Sequence, residues 1–164
     1  MKFEKKVAKF EKVSKKQWEL SEGVIPYEEI KLPTRATEDS AGYDFYITKD
    51  TTLKPGETTV VDTGIRVHIY TPGWCLFIMP KSGLGFKYQL SLANTIGLID
   101  ADYYYADNEG HIKVKLVNRG DKEVTLEAGS KFVQGVFLQY GITLNDQDDD
   151  KKVRTGGFGS TGSN

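Results

Sequence analysis

From Tyr27 onward this chain never sustains one apolar pattern for long, because short runs of β-branched and aromatic residues alternate with turn residues. The runs at 43–47, 59–61, 65–70, 75–79, 112–117 and 132–138 read as strands. Lys54-Pro55-Gly56-Glu57, Thr71-Pro72-Gly73, Asn118-Arg119-Gly120-Asp121 and Glu127-Ala128-Gly129 separate them. Each carries a Pro, Gly or Asn that presets or tolerates the dihedrals of a turn. Many short strands with hardly a helical segment predict an all-β fold, a jelly-roll-like barrel or sandwich. The 164 residues fit one domain with its own core. Gly85-Phe86-Lys87 and Gly97 interrupt the middle of the chain and read as irregular loops.

Both ends depart from this pattern. Phe3, Val7 and Phe10 recur at helical spacing, yet Phe10-Glu11-Lys12-Val13-Ser14 reads equally as an edge strand whose lysines discourage further pairing. Residues 1–26 therefore form an N-terminal extension open to both readings, and the barrel is expected over 1–144. Residues 145–150 are acidic and read as a hinge leading into a glycine-rich tail that ends the 145–164 segment. That tail, Arg154-Thr155-Gly156-Gly157-Phe158-Gly159-Ser160-Thr161-Gly162-Ser163-Asn164, cannot be core, since ordering so many glycines costs more backbone entropy than one ring offsets. Exposed backbone N–H groups, hydroxyls and a guanidinium suit phosphate binding, and Phe158 could stack on a base. A nucleotide lid and a disordered end remain the two readings of the tail by itself.

Composition narrows the setting. A net charge of −1 and a pI near 6.1 argue against a nucleic-acid duplex as partner. No apolar run reaches membrane-spanning length and the lysine-rich start lacks a signal-like apolar segment, so a cytoplasmic protein is expected. Cys75 is the one cysteine, lies in an apolar run, and reads as a small buried hydrophobe. His68 and His111 stand apart, without metal-ligand spacing.

Three clusters carry polar chemistry. In Asp39-Ser40-Ala41-Gly42-Tyr43-Asp44, Asp44 falls in an aromatic strand, where a solvent-facing carboxylate is the plain account. Pro80-Lys81-Ser82-Gly83-Leu84-Gly85 offers a cation, a hydroxyl and bare backbone in succession, suited to an anion, without Walker A spacing. In Asn94-Thr95-Ile96-Gly97-Leu98-Ile99-Asp100-Ala101-Asp102-Tyr103, two carboxylates at i and i+2 on a strand would share one face. Asp100, after an apolar pair, suits a general base that orients water, or equally an Asx turn at a strand end.

Taken in this order, the clusters resemble the five motifs of the trimeric dUTPases, from about Leu32 to Gly162. Ala41-Gly42-Tyr43-Asp44 is similar to the first motif, 80–85 to the second and 97–103, with Asn94 ahead of it, to the third. Gly129-Ser130-Lys131-Phe132-Val133-Gln134 is a loose fourth and 156–162 a near-perfect fifth. The resemblance implies a dUTP diphosphatase that forms dUMP and pyrophosphate, limiting uracil in DNA and supplying dUMP for thymidylate synthesis. Asp100 would be the base that activates water against the α-phosphorus. Asn94 and the backbone of Gly97, Leu98 and Ile99 would read uracil in a tight hairpin, and Tyr103 would pack under the deoxyribose. Lys81, Ser82, Gly83 and Gln134 would contact the phosphates. Mg2+ would ride on the triphosphate, its waters oriented by Asp44. Arg154, Ser160 and Thr161, with Gly159, would close on the γ-phosphate while Phe158 covers the base. A homotrimer with shared sites is implied.

Three features depart from the family pattern. Lysine stands at 81 where arginine is usual, one residue rather than two separates Arg154 from Gly156, and Tyr104-Tyr105-Ala106-Asp107-Asn108-Glu109-Gly110 is an apparent insertion. That insertion reads as an aromatic and acidic hairpin, either a plain surface loop or a loop for a regulatory partner. The alternatives for function are a dCTP deaminase-like enzyme of the same fold and a dUTP-binding regulatory protein.

Overall fold

The computed structural model describes residues 5–146 and 151–157. The expectations for Phe158, Gly159, Ser160 and Thr161 lie outside the described residues. The strands are β1 (Ala8–Lys12), β2 (Thr34–Arg35), β3 (Tyr43–Tyr46), β4 (Thr51–Leu53), β5 (Thr58–Asp62), β6 (Ile65–Ile69), β7 (Trp74–Pro80), β8 (Leu90–Leu92), β9 (Gly97–Ile99), β10 (Lys113–Asn118), β11 (Val124–Leu126) and β12 (Lys131–Gln139). Short helices α1 (Lys15–Glu19) and α2 (Ser82–Tyr88) and two 3-10 turns complete the elements among the described residues. The sheets run β2-β3-β12-β7-β9, β5-β10-β8, β1-β6 and β11-β4, all antiparallel, giving the expected all-β jelly-roll architecture.

Alternation sets which face of each strand is core. Along β6, Ile65, Val67 and Ile69 are buried while Arg66 and His68 are half-buried. In β12 a register shift between Lys131 and Val133 lets the adjacent Phe132 and Val133 both be buried, as a bulge allows. Gly135 is the close-approach point of that central strand: a Cβ there would lie 2.9 Å from Leu76 and 3.1 Å from Phe45. Phe45, Phe132, Ile47, Leu76, Ile78, Leu90, Leu92, Ile112 and Leu116 form the centre of the core.

The N-terminal segment settles into the edge-strand reading. β1 pairs along all of β6, from Ala8 opposite Ile69 to Lys12 opposite Ile65. Phe10 packs its ring against Tyr43, Phe45 and Phe137 at 5.3, 5.6 and 5.6 Å, which explains its apolar character better than a helical stripe does. Trp18, on α1, is buried and its indole N–H donates to the Ile25 carbonyl at 3.1 Å. The segment expected as an irregular loop around Gly85 is instead α2, and Gly97 opens β9. Strands β4, β8, β9 and β11 have three residues each, too short for a period to show.

His111 links these layers. It is fully buried, and its Nε2 accepts the Gly64 backbone N–H at 2.8 Å, so it sits there neutral. Burial pulls its pKa down to about 4, against the opposing pull of the Asp62 carboxylate. The folded value lies below the unfolded value of about 6.5, so only the unfolded chain gains the proton between them. Stability from this group is complete above about pH 6.5 and falls by about 3 kcal/mol as pH drops toward 4. Urea unfolding from pH 7.5 to 4.5 should show a decline that is clearly shallower in His111→Gln, and parallel profiles would contradict it.

Candidate active site

The residues singled out by sequence fall into three groups. The first is set by β12, in which Gln134 stands opposite Asp44 of β3 and opposite Met79 of β7. Asp44 is buried, contrary to the plain account of a solvent-facing strand carboxylate. Two cations hold it: Lys131 Nζ lies 2.7 Å from Oδ2 and Lys81 Nζ 3.5 Å from Oδ1. The hydrogen bond from Lys131 to Asp44 raises the lysine pKa above its ordinary value. Asp44, Lys81 and Gln134, with Ser40, Ala41 and Gly42, line a polar pocket of about 330 Å3. A side chain at Gly42 would collide with the Gln134 carboxamide, so glycine keeps that wall open. Gln134 also donates weakly to the Pro80 carbonyl at 3.4 Å. Ser82 and Gly83 open α2, and nothing lies within 4 Å of a Cβ built on Gly83.

The second group surrounds β9. A tight turn through Asn94 and Thr95, the latter at φ 68°, leads from β8 into β9. The expected hairpin is corrected here, because β8 pairs with β10 and β9 pairs with β7, so the turn joins two sheets. β9 is the edge of its sheet, which leaves outward backbone groups on that side. Asn94, Gly97, Leu98 and Ile99 border an apolar cavity of about 480 Å3, closed by Val60, Ile78, Leu92, Ile112 and Val114.

The third group begins where β9 ends. Asp100 follows the strand and Asp102 lies in the 3-10 turn Ala101–Tyr105, so the expectation of two carboxylates on one strand face is wrong. They nonetheless meet on one partner. Arg154 Nη2 lies 2.8 Å from Asp100 Oδ2 and Arg154 Nε 3.0 Å from Asp102 Oδ1, one edge of the guanidinium spanning both acids. The acids are half-exposed while Arg154 is mostly covered. Its guanidinium carbon stands 5.9 Å over the Tyr103 ring. Tyr103 is buried; its hydroxyl donates to the His111 carbonyl at 2.6 Å and accepts from Asn108 Nδ2 at 2.9 Å. Burial raises the Tyr103 pKa, keeping the phenol neutral. The expected hairpin at 104–110 is instead the end of the 3-10 turn followed by further turns.

Three residues escaped the sequence reading of roles. Lys131 lies inside the loose fourth motif, where its charge was a usable signal. Asp102 was visible as the second acid, but not as a ligand of the tail. Asn108 had no signal, because its partner Tyr103 is fixed by tertiary packing. Cys75 is buried as expected, and burial raises its thiol pKa, which disfavours the thiolate. Among the described residues no group of three His, Cys, Asp or Glu side chains could hold a metal ion, and no helix is long and apolar enough to cross a membrane.

The Arg154 fork should govern the tail. Each contact is worth about 1 kcal/mol at this exposure. Arg154→Met is expected to speed hydrogen exchange over residues 151–157 while leaving the melting temperature nearly unchanged. An unaltered exchange rate would show that the fork does not hold the tail.

Comparison with known proteins places this geometry. Residues 28–162 match the dUTPase family model. The deoxyuridine 5'-triphosphate nucleotidohydrolase of Lactococcus lactis subsp. lactis (strain IL1403) is 41% identical over 134 residues, which cover 81% of this chain and 89% of that protein. The protein of the same name from Hahella chejuensis (strain KCTC 2396) is 41% identical over 139 residues, 82% of this chain and 88% of that one. The crystal structure of dUTPase from Streptococcus mutans superposes with a TM-score of 0.66 at 34% identity, covering 82% of this chain and 97% of that chain. A mutant dUTPase from phage phi11 of S. aureus, described as coordinating a structural Mg(II) ion, shares the fold with a TM-score of 0.65 at 18% identity, covering 88% of this chain and 98% of that chain.

Proposed function

We propose that this chain, which belongs to the dUTPase family, hydrolyses dUTP to dUMP and pyrophosphate with Asp100 as the general base. The observation that carries this reading is the position of Asp100: half-exposed, immediately after the open edge strand β9, and 2.8 Å from the one arginine of the tail. A carboxylate there can hold a water, take its proton and direct its oxygen at phosphorus, the step that geometry and proton transfer accelerate most. The bond to the bridging oxygen breaks, pyrophosphate leaves, and the proton passes from Asp100 to solvent.

Arg154 has two competing partners in this scheme. One partner is the pair Asp100 and Asp102, which it spans. A triphosphate offers the guanidinium a more highly charged, bidentate anion, and Arg154 moving to it frees Asp100 to bind water. Phe158, Gly159, Ser160 and Thr161 then close over the base and the γ-phosphate. Lys81, Ser82, Gly83 and Gln134 bind the phosphate chain from the polar pocket, and Lys131 adds a second cation beside Lys81. Both lysines are point charges on flexible stems, so they neutralise charge without the planar fork of the family's usual arginine.

Asn94 and the outward backbone of Gly97, Leu98 and Ile99 read the uracil edge. Polar discrimination of this kind is strong because a wrong base leaves buried groups unpaired. Tyr103, held by its hydroxyl, presents a rigid ring to the deoxyribose. For magnesium, the polar pocket offers one carboxylate, Asp44, already paired with two ammonium groups, which suits only an ion that arrives on the triphosphate and meets Asp44 through water. Asp44 would hold such an ion through its waters, and the ion when bound would neutralise charge on the phosphates.

A homotrimer with shared sites completes the reading. Leu138, near the end of β12, and Tyr140, Ile142 and Leu144, beyond it, are exposed apolar residues close in sequence, which supports a subunit contact. Turnover of dUTP, dTTP, dCTP and UTP should be strongest for dUTP, and Asp100→Asn should lose at least about a hundredfold in kcat, as removal of a general base does, while retaining dUTP binding. Near-normal turnover by Asp100→Asn, or ammonia release from dCTP, would refute it.

A further inference from the structure

The segment 13–27 precedes the family match, which begins at residue 28, yet it is built into the fold. Trp18 on α1 is buried and shares the core with Ile30, Ile112 and Tyr103. Its ring centroid stands 6.2 Å from that of the fully buried His111, within the range of packed aromatic pairs. Gly23 makes room for this ring, because a Cβ there would collide with the benzo ring of Trp18. The bond from the indole N–H to the Ile25 carbonyl fixes the same side chain through its five-membered ring.

His111 in turn holds Tyr103. Its carbonyl accepts the Tyr103 hydroxyl at 2.6 Å and its Nε2 accepts the Gly64 N–H at 2.8 Å, so it is fixed at backbone and side chain. Gly64 is gripped by the N-terminal segment as well. Its carbonyl accepts the Val13 N–H at 3.0 Å, and a Cβ on it would stand 2.7 Å from Ile30 Cδ1. Between Tyr103 and His111 the chain is caught once more, where Glu109 accepts the Ser14 N–H at 2.9 Å. The path from Trp18 to the Tyr103 hydroxyl thus runs through one buried residue, His111.

We propose that Trp18 is a positioning residue for Tyr103. By packing against His111 it fixes the carbonyl that sets the Tyr103 ring, and a ring that cannot recede leaves no room for a 2′-hydroxyl. Trp18 thereby helps the site to tell deoxyribose from ribose. That sugar role rests on the dUTPase reading above, in which Tyr103 lies under the sugar; the link from Trp18 to His111 does not. A ring held in place before substrate arrives has less freedom to lose on binding, and a small displacement of a positioning group is costly even when its cause is distant.

Two measurements on the full chain separate these parts. The first is amide hydrogen exchange in wild type, Trp18→Leu and Trp18→Phe, read at Gly64 against the amides of β12. Trp18→Leu should speed exchange at Gly64 several-fold with β12 unchanged, a local opening. Trp18→Phe keeps an aromatic ring beside His111 and should stay near wild type. Equal exchange at Gly64 in wild type and Trp18→Leu overturns the link. The second is kcat/KM for dUTP, UTP and dCTP in the same variants and in Leu53→Ala, a core truncation in β4 that lowers stability by another route. In Trp18→Leu the preference for dUTP over UTP should fall about tenfold, the scale on which a misplaced positioning group acts. Its preference for dUTP over dCTP should hold, because the base is read at Asn94 and β9. Trp18→Phe should recover the sugar preference, and Leu53→Ala should leave both ratios unchanged. A sugar preference unmoved in Trp18→Leu, or lost equally in Leu53→Ala, overturns the positioning role. Faster exchange at Gly64 beside a wild type that does not turn over dUTP keeps the link to His111 and overturns the nucleotide reading, and the sugar role with it. Should Trp18→Leu fail to fold, Gly23→Ala displaces the ring by collision and carries the same expectations.

Discussion

The register of β12 between β3 and β7 is the constraint from which the Asp44 half of the candidate site follows. Gln134 must stand opposite Asp44 for the two to share a pocket, and Lys131 must lie one bulge earlier to reach the same carboxylate. A slip of one residue would turn Gln134 to the other face and place Val133 in the polar pocket. What prevents the slip is core packing. Phe132 and Val133 are both fully buried, and Gly135 admits Leu76 and Phe45 at contact distance. Apolar packing thus sets the polar geometry. The burial of Asp44 is tolerable because two ammonium groups arrive with it.

The other half of the site depends on the end of β9 and on the tail that returns to it. Asp100 and Asp102 are brought to one guanidinium by a change from strand to 3-10 turn. The same turn buries Tyr103 and begins the segment that accepts the tail at Asp107. In the proposed scheme, substrate capture is an exchange of partners by Arg154. The N-terminal segment is tied to this turn through Glu11, which accepts from Tyr104, and Ser14, which donates to Glu109, although it lies outside the family match that begins at residue 28.

Much of this was legible in the residues, and the losses have physical causes. Turn chemistry and short apolar runs were enough for the all-β fold, and five motifs in order were enough for the family. The three-residue strands were too short to show a period, and α2 was hidden by its glycines, Gly83 and Gly85, which mark loops in isolation. Asp44 read as solvent-facing because its partners, Lys81 at the start of α2 and Lys131 in β12, are distant in sequence. Asn108 could not be found at all, since a hydrogen bond to Tyr103 across a turn leaves no trace in composition. Arg154 is visible in the sequence as the tail's cation, while its contacts with Asp100 and Asp102 need the geometry of the turn.

The central claim is that a water activated at Asp100 attacks the α-phosphorus of dUTP. Single-turnover hydrolysis in water enriched in oxygen-18, with the products resolved by mass spectrometry, tests it most directly. The account expects one labelled oxygen in dUMP and none in pyrophosphate. Label in pyrophosphate would place the attack at the β-phosphorus, and the assignment of Asp100 would fall with it.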